Sequence, residues 1–139
     1  MSYSAMVIEK LEAIFGREKP EVRIASTIVA YVTEHGDSVH HINLAFVKNL
    51  CKLPNTAHVD VSVLKALQAL AGDAIGYLSV GFEYVDNNEE IHNISRAEFS
   101  GAIYDSIDPI SGERADDLAE RVLIFYFPDK TFPMRLLHT

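Results

Sequence analysis

The chain has 139 residues, 48% of them apolar and 23% charged, with a single cysteine and a formal net charge of -8. That length and composition suit one soluble domain with its own core and exclude an internal disulfide framework. The charge is uneven: residues 1–72 carry seven acids and seven bases, whereas residues 73–139 carry thirteen acids against five bases. The second half should therefore repel phosphate, because polyanion binding relies on Lys and Arg.

Ser4 precedes a helical pattern over 4–15 in which Val7, Leu11, Ile14 and Phe15 share a face, and Gly16 ends it. Pro20 then opens a helix over 21–34, with Val22, Ala25, Ile28, Val29 and Val32 as an inward stripe broadened by Ile24 and Tyr31. Gly36 stops it. After a short extended piece at 39–42, the pattern predicts a helix over 44–53, with Phe46, Val47, Leu50 and Leu53 inward. Pro54 closes that helix. Asp60 is read as the N-cap of the next one, 60–71, with Val63, Leu64, Leu67 and Leu70 facing the core and Ser62, Lys65 and Gln68 facing solvent.

From Ile75 the period changes from 3.6 to 2, and Leu78, Val80, Phe82 and Tyr84 point one way. Asp86-Asn87-Asn88-Glu89 forms a turn, and 91–94 returns as the second strand. Ser95-Arg96-Ala97-Glu98 has the form of a capping box, opening a helix over 96–104 with Phe99, Ala102 and Ile103 inward. Asp108 to Gly112 is a turn. Residues 122–127 are apolar on both faces and rich in β-formers, so they predict an interior strand. Phe132, Met134, Leu136 and Leu137 add apolar residues beyond it.

Three helices over 21–34, 44–53 and 60–71, followed by a hairpin over 75–94, resemble the winged-helix superfamily. The expected fold is thus α+β: a winged-helix-like three-helix core with an antiparallel β-hairpin wing and an extra C-terminal strand. The winged-helix-like part covers about 21–94 of a single domain 1–139, with the N-terminal helix 4–15 before it and an extension 95–139 after it. The resemblance implies that the third helix reads duplex DNA in the major groove, through Ser62, Lys65 and Gln68 with His58 at its entrance. Charge argues the other way. Asp60 places a carboxylate at the end of that helix, and the wing from Tyr77 to Ile94 contains Glu83, Asp86, Glu89 and Glu90 with no Lys or Arg. The preferred reading is an interaction module or inhibitor that presents this acidic wing to a basic protein; DNA binding through helix 60–71 is the alternative.

Catalysis, cofactors and metals are not expected. No nucleophile elbow, phosphate loop or nucleotide fingerprint occurs. Cys51 lies in an apolar helical pattern, without a basic cluster to activate it. His35, His40 and His41 lack zinc-site spacing, and adjacent side chains on an extended segment diverge. The carboxylates at 86–90 lack the loop pattern of a calcium site, and Glu113, Asp116, Asp117 and Glu120 read as a solvated helix face. With no basic apolar leader and no apolar run of about 18 residues, cytoplasmic residence is expected and membrane association is not. The apolar surfaces of helix 4–15 and of the tail from Phe132 to Leu137 suggest a homodimer.

Overall fold

A computed structural model describes residues 3–132. Along the chain come α1 (Tyr3–Phe15), α2 (Pro20–His35), α3 (Leu44–Leu50), α4 (Ala57–Ala71), β1 (Leu78–Val85), β2 (Ile91–Ile94), α5 (Arg96–Asp105) and β3 (Val122–Pro128). Short 3-10 turns lie at Gly36–Ser38 and Leu118–Arg121. Helices followed by an antiparallel β1–β2 hairpin, with an added helix and strand, make the arrangement α+β and winged-helix-like. The sheet has three strands in the order β2-β1-β3. By their contacts the described residues divide into two compact units, 3–79 with 126–132, and Val80–Phe125.

In the first unit α2 is the central helix. Val22, Ile24, Ala25, Ile28, Val29 and Val32 are all buried, and α1 and α4 both pack on it. α1 contributes Val7 and Leu11 to that packing, while Ile14 in its last turn stays half exposed. Gly36 ends α2 at φ 48°, ψ -117°, a backbone conformation that suits glycine, with its N–H on the Val32 carbonyl. Val39 and Ile42 are buried on the following extended piece, and Ile42 forms an antiparallel bridge with Tyr126. His40 and His41 are both exposed.

α3 is capped by the Asn43 side chain, which accepts from the Phe46 N–H, and it ends three residues sooner than expected. Lys52 turns left-handed at φ 55°, its N–H reaching Asn49 O at 3.3 Å, while the Leu53 N–H reaches Lys48 O at 2.9 Å. This is a Schellman stop with lysine where glycine is usual. α4 begins earlier than expected because Thr56, not Asp60, is its cap: the Thr56 hydroxyl accepts from the Val59 N–H.

The second unit is built on the hairpin, whose register pairs Phe82 with Ile94, Tyr84 with His92 and Val85 with Ile91. Phe82, Tyr84, Ile94, Ala102 and Leu118 form its core, with Val80, Phe99, Ala115 and Val122 packed against it. The capping box at Ser95 and Glu98 is present in both directions. Ile103, expected inward, is exposed. Glu113 to Asp117 is not helical: Ile107 pairs with Arg114 across the turn that Gly112 closes at φ 75°, so the backbone there is bridged instead of coiled.

Among the described residues β3 is the last named strand of the sheet, flanked beyond β1 by the single bridge of Tyr126 to Ile42, which corrects the interior position expected for it. Leu123 and Ile124 are each about half exposed, at 52% and 51%. An unbroken apolar run reports the absence of a polar face. It does not report that both faces are covered. Of the apolar tail only Phe132 is described, and it is buried; Met134, Leu136 and Leu137 lie outside the described residues.

Candidate functional site

The wing tip is organised by one carboxylate. Asp86 Oδ1 accepts the amide hydrogens of Asn88 at 2.8 Å and Glu90 at 2.9 Å, and Asp86 Oδ2 lies 2.7 Å from His92 Nε2. The His92 contact first, and the Glu90 amide next, hold the Asp86 carboxyl below the usual carboxylate range. Asp86 N–H also bonds Glu90 O at 2.9 Å, which leaves Asn87, Asn88 and Glu89 as a three-residue connection. Its last member, Glu89, is left-handed at φ 62°, as such hairpins require and as glycine would do more easily.

The four acids named from the sequence are consequently not equivalent. Glu89 and Glu90 are exposed at the tip, Glu83 is half-buried opposite Asn93, and Asp86 is turned inward as the hub of the loop. Two arginines from outside the hairpin also reach it. Arg121 donates to Asn87 Oδ1 and holds Asp117 at 2.9 Å, and Arg96 lies 5.6 Å over the Phe82 ring. Local charge counting along 77–94 could not register either one.

Beneath the wing, the fully buried Tyr84 donates its hydroxyl to Asp108 Oδ2. Asp108 Oδ1 accepts the amide hydrogens of Ile110 at 2.7 Å and Ser111 at 2.9 Å. Burial alone pushes the Asp108 carboxyl up, but these hydrogen bonds and the Arg121 charge outweigh it and hold it below the usual range. Burial pushes the Tyr84 phenol up, reinforced by Asp108. Asp108 thus closes the 108–112 turn through Oδ1 and ties it to Tyr84 through Oδ2.

On α4 the exposed face differs from the one expected. His58, Lys65 and Gln68 are exposed, but Ser62 is 6% exposed and belongs to the core, while Val61 and Leu64 are 50% and 39% exposed. The buried set, Ser62, Val63, Ala66, Leu67 and Leu70, keeps Val63, Leu67 and Leu70 of the expected stripe but takes in Ser62 and Ala66 in place of Leu64. Small side chains at 62 and 66 suit a closely packed helix face, and Leu64, about 100° round the helix from Val63, turns outward. Asp60 is paired with Lys48 at 2.9 Å, so its charge is locally compensated.

The cavities of the first unit include two lined by residues of several elements. The first, of about 370 Å³, is walled by Tyr3, Tyr77, Phe132, Val32 and Pro128, with the Ser4–Thr33 hydroxyl pair and Asp129 as its polar members. The other, of about 330 Å³, includes Cys51. Burial pushes the Cys51 thiol up, against a smaller opposing effect of Thr27. No helix among the described residues is long and apolar enough to cross a membrane. Compared with known protein families, curated proteins and solved structures, the chain matches none.

Proposed function

We propose that this winged-helix-like chain is a non-enzymatic interaction module whose acidic wing engages a basic protein surface. The observation that carries the reading is the exposed pair Glu89 and Glu90 on a tip that Asp86 holds through its three hydrogen-bonding contacts. Charges fixed in this way steer encounter with little loss of side-chain and loop freedom. Val61 and Leu64, apolar on the helix that would face phosphate in a DNA reader, support protein contact as well. The net charge of -8 supports it too.

DNA binding through His58, Lys65 and Gln68 stands as the second reading, and the Lys48–Asp60 pair favours it by compensating the carboxylate nearest the groove. Ser62 drops out of that reading because it is buried. Residence in the cytoplasm is part of the proposal. So is a homodimer, which now draws on Leu123 and Ile124 of β3, since the inward face of α1 is taken up within the chain. Light scattering of a pure sample at tens of micromolar, in rough terms, tests the dimer, and a monomer removes it.

Association with an array of Lys/Arg-rich peptides, measured beside a 20-base-pair duplex over a salt series, tests the main reading. The Glu83→Gln/Glu89→Gln/Glu90→Gln protein should associate more slowly with the basic peptides, and any duplex affinity should rise as repulsion is removed. Tight duplex binding by the wild type at moderate salt, with no response to basic peptides, would overturn the proposal in favour of DNA.

A further inference from the structure

We propose that Asp86, Glu90 and His92 form a binding site for a divalent metal ion of the zinc class. The three residues belong to one face of the hairpin. Tyr84 and His92 are cross-strand partners, and side chains alternate with a period of two, so Asp86 shares the side of Tyr84 and Glu90 that of His92. The connection thereby sets two carboxylates and an imidazole together, with one donor atom from each residue lying within 4.8 Å of the others. Ligand atoms around a tetrahedral ion with bonds near 2.1 Å lie about 3.4 Å apart, so only modest side-chain adjustment separates this arrangement from a coordination shell. Glu90 is exposed and can supply that adjustment.

The outer shell is already in place. The amides of Asn88 and Glu90 occupy Asp86 Oδ1 and orient the carboxylate, so that Oδ2 faces His92 Nε2. Hydrogen bonds of this kind ordinarily position a metal-binding carboxylate. One imidazole nitrogen with two carboxylate oxygens favours a borderline cation such as Zn²⁺ over Mg²⁺ or Ca²⁺, which prefer all-oxygen shells. The two carboxylates balance the ion's charge, and the solvent-facing side leaves room for water to complete the coordination. Glu89, left-handed and outside the cluster, contributes nothing to it. This inference is independent of any protein partner, since the site is complete within one chain.

Titration calorimetry of the full chain with zinc chloride, and separately with magnesium chloride, tests the site. Zinc should bind and magnesium should not. His92→Gln and Glu90→Gln should each weaken zinc binding by about tenfold or more. Glu89→Gln should leave it unchanged, although it removes the same charge from the same tip. A His40→Gln/His41→Gln protein, which should also bind normally, controls for the exposed histidine pair. Ring-proton shifts of His92 on zinc addition give a second readout in the wild-type protein. Zinc binding that survives His92→Gln, or that falls equally with Glu89→Gln, overturns the site, as does failure of the wild type to bind zinc.

Discussion

Replacing Tyr84 by phenylalanine removes one hydroxyl from the centre of the second unit and leaves the ring in place. Tyr84 is fully buried, so no cavity larger than an oxygen is created, and the change isolates its hydrogen bond to Asp108. The acceptor is a carboxylate that is itself 3% exposed. Hydrogen bonds to charged groups contribute roughly 1.5–3 kcal/mol, and Asp108 keeps its two amide partners, which places the expected loss near 2 kcal/mol. For a chain of this length that corresponds to a Tm lower by roughly 6–10 °C. The Ile110 and Ser111 amides, both donating to Asp108, should exchange with solvent roughly 30-fold faster, the same energy read locally. The loss should also depend on pH. A carboxyl held below its unfolded value near 3.9 contributes stability above about pH 4, and that contribution disappears as pH falls through the folded value. The gap between wild type and Tyr84→Phe should therefore narrow in acid. Urea unfolding at neutral pH and at successively lower pH measures it. A variant within about 0.5 kcal/mol of the wild type at neutral pH would refute the assignment of Asp108 as a charged, hydrogen-bonded anchor.

The left-handed residues Lys52 at φ 55° and Glu89 at φ 62° should each gain about 0.5–1 kcal/mol on replacement by glycine, and a loss of stability in urea unfolding would show that their side chains hold the turns instead. On α4, Lys65→Ala and Gln68→Ala should change stability by less than about 0.5 kcal/mol, whereas Ser62→Leu should cost about 1–3 kcal/mol by overpacking a buried position. A neutral Ser62→Leu would return Ser62 to the surface. In stopped-flow mixing with a basic peptide, the triple wing variant should lower the association rate while the dissociation rate changes little, and an effect confined to dissociation would contradict steering.

Features that depend on a few neighbouring residues were legible in the sequence. The change of period near Ile75 marked where helix gives way to strand, Gly36 bounded its helix, and Ser95 with Glu98 announced a capping box that the structure contains. Element order then sufficed for a winged-helix-like α+β fold. What the chain could not reveal depends on residues brought together from a distance. Leucine is inward on average, but Leu64 faces out because its neighbours Ser62 and Ala66 occupy the packed face, and only the assembled helices determine that phase. An apolar run cannot say whether it has one strand beside it or two, so 122–127 read as interior although β3 is the last named strand of the sheet. Asp86 and His92 are six residues apart and become partners only when the hairpin register sets them on one face, and Asp108 finds Tyr84 across 24 residues. Propensity, capping and period act over a turn or two of chain and can be read in order. Burial, pairing and coordination arise between segments, where geometry and not adjacency decides which groups meet.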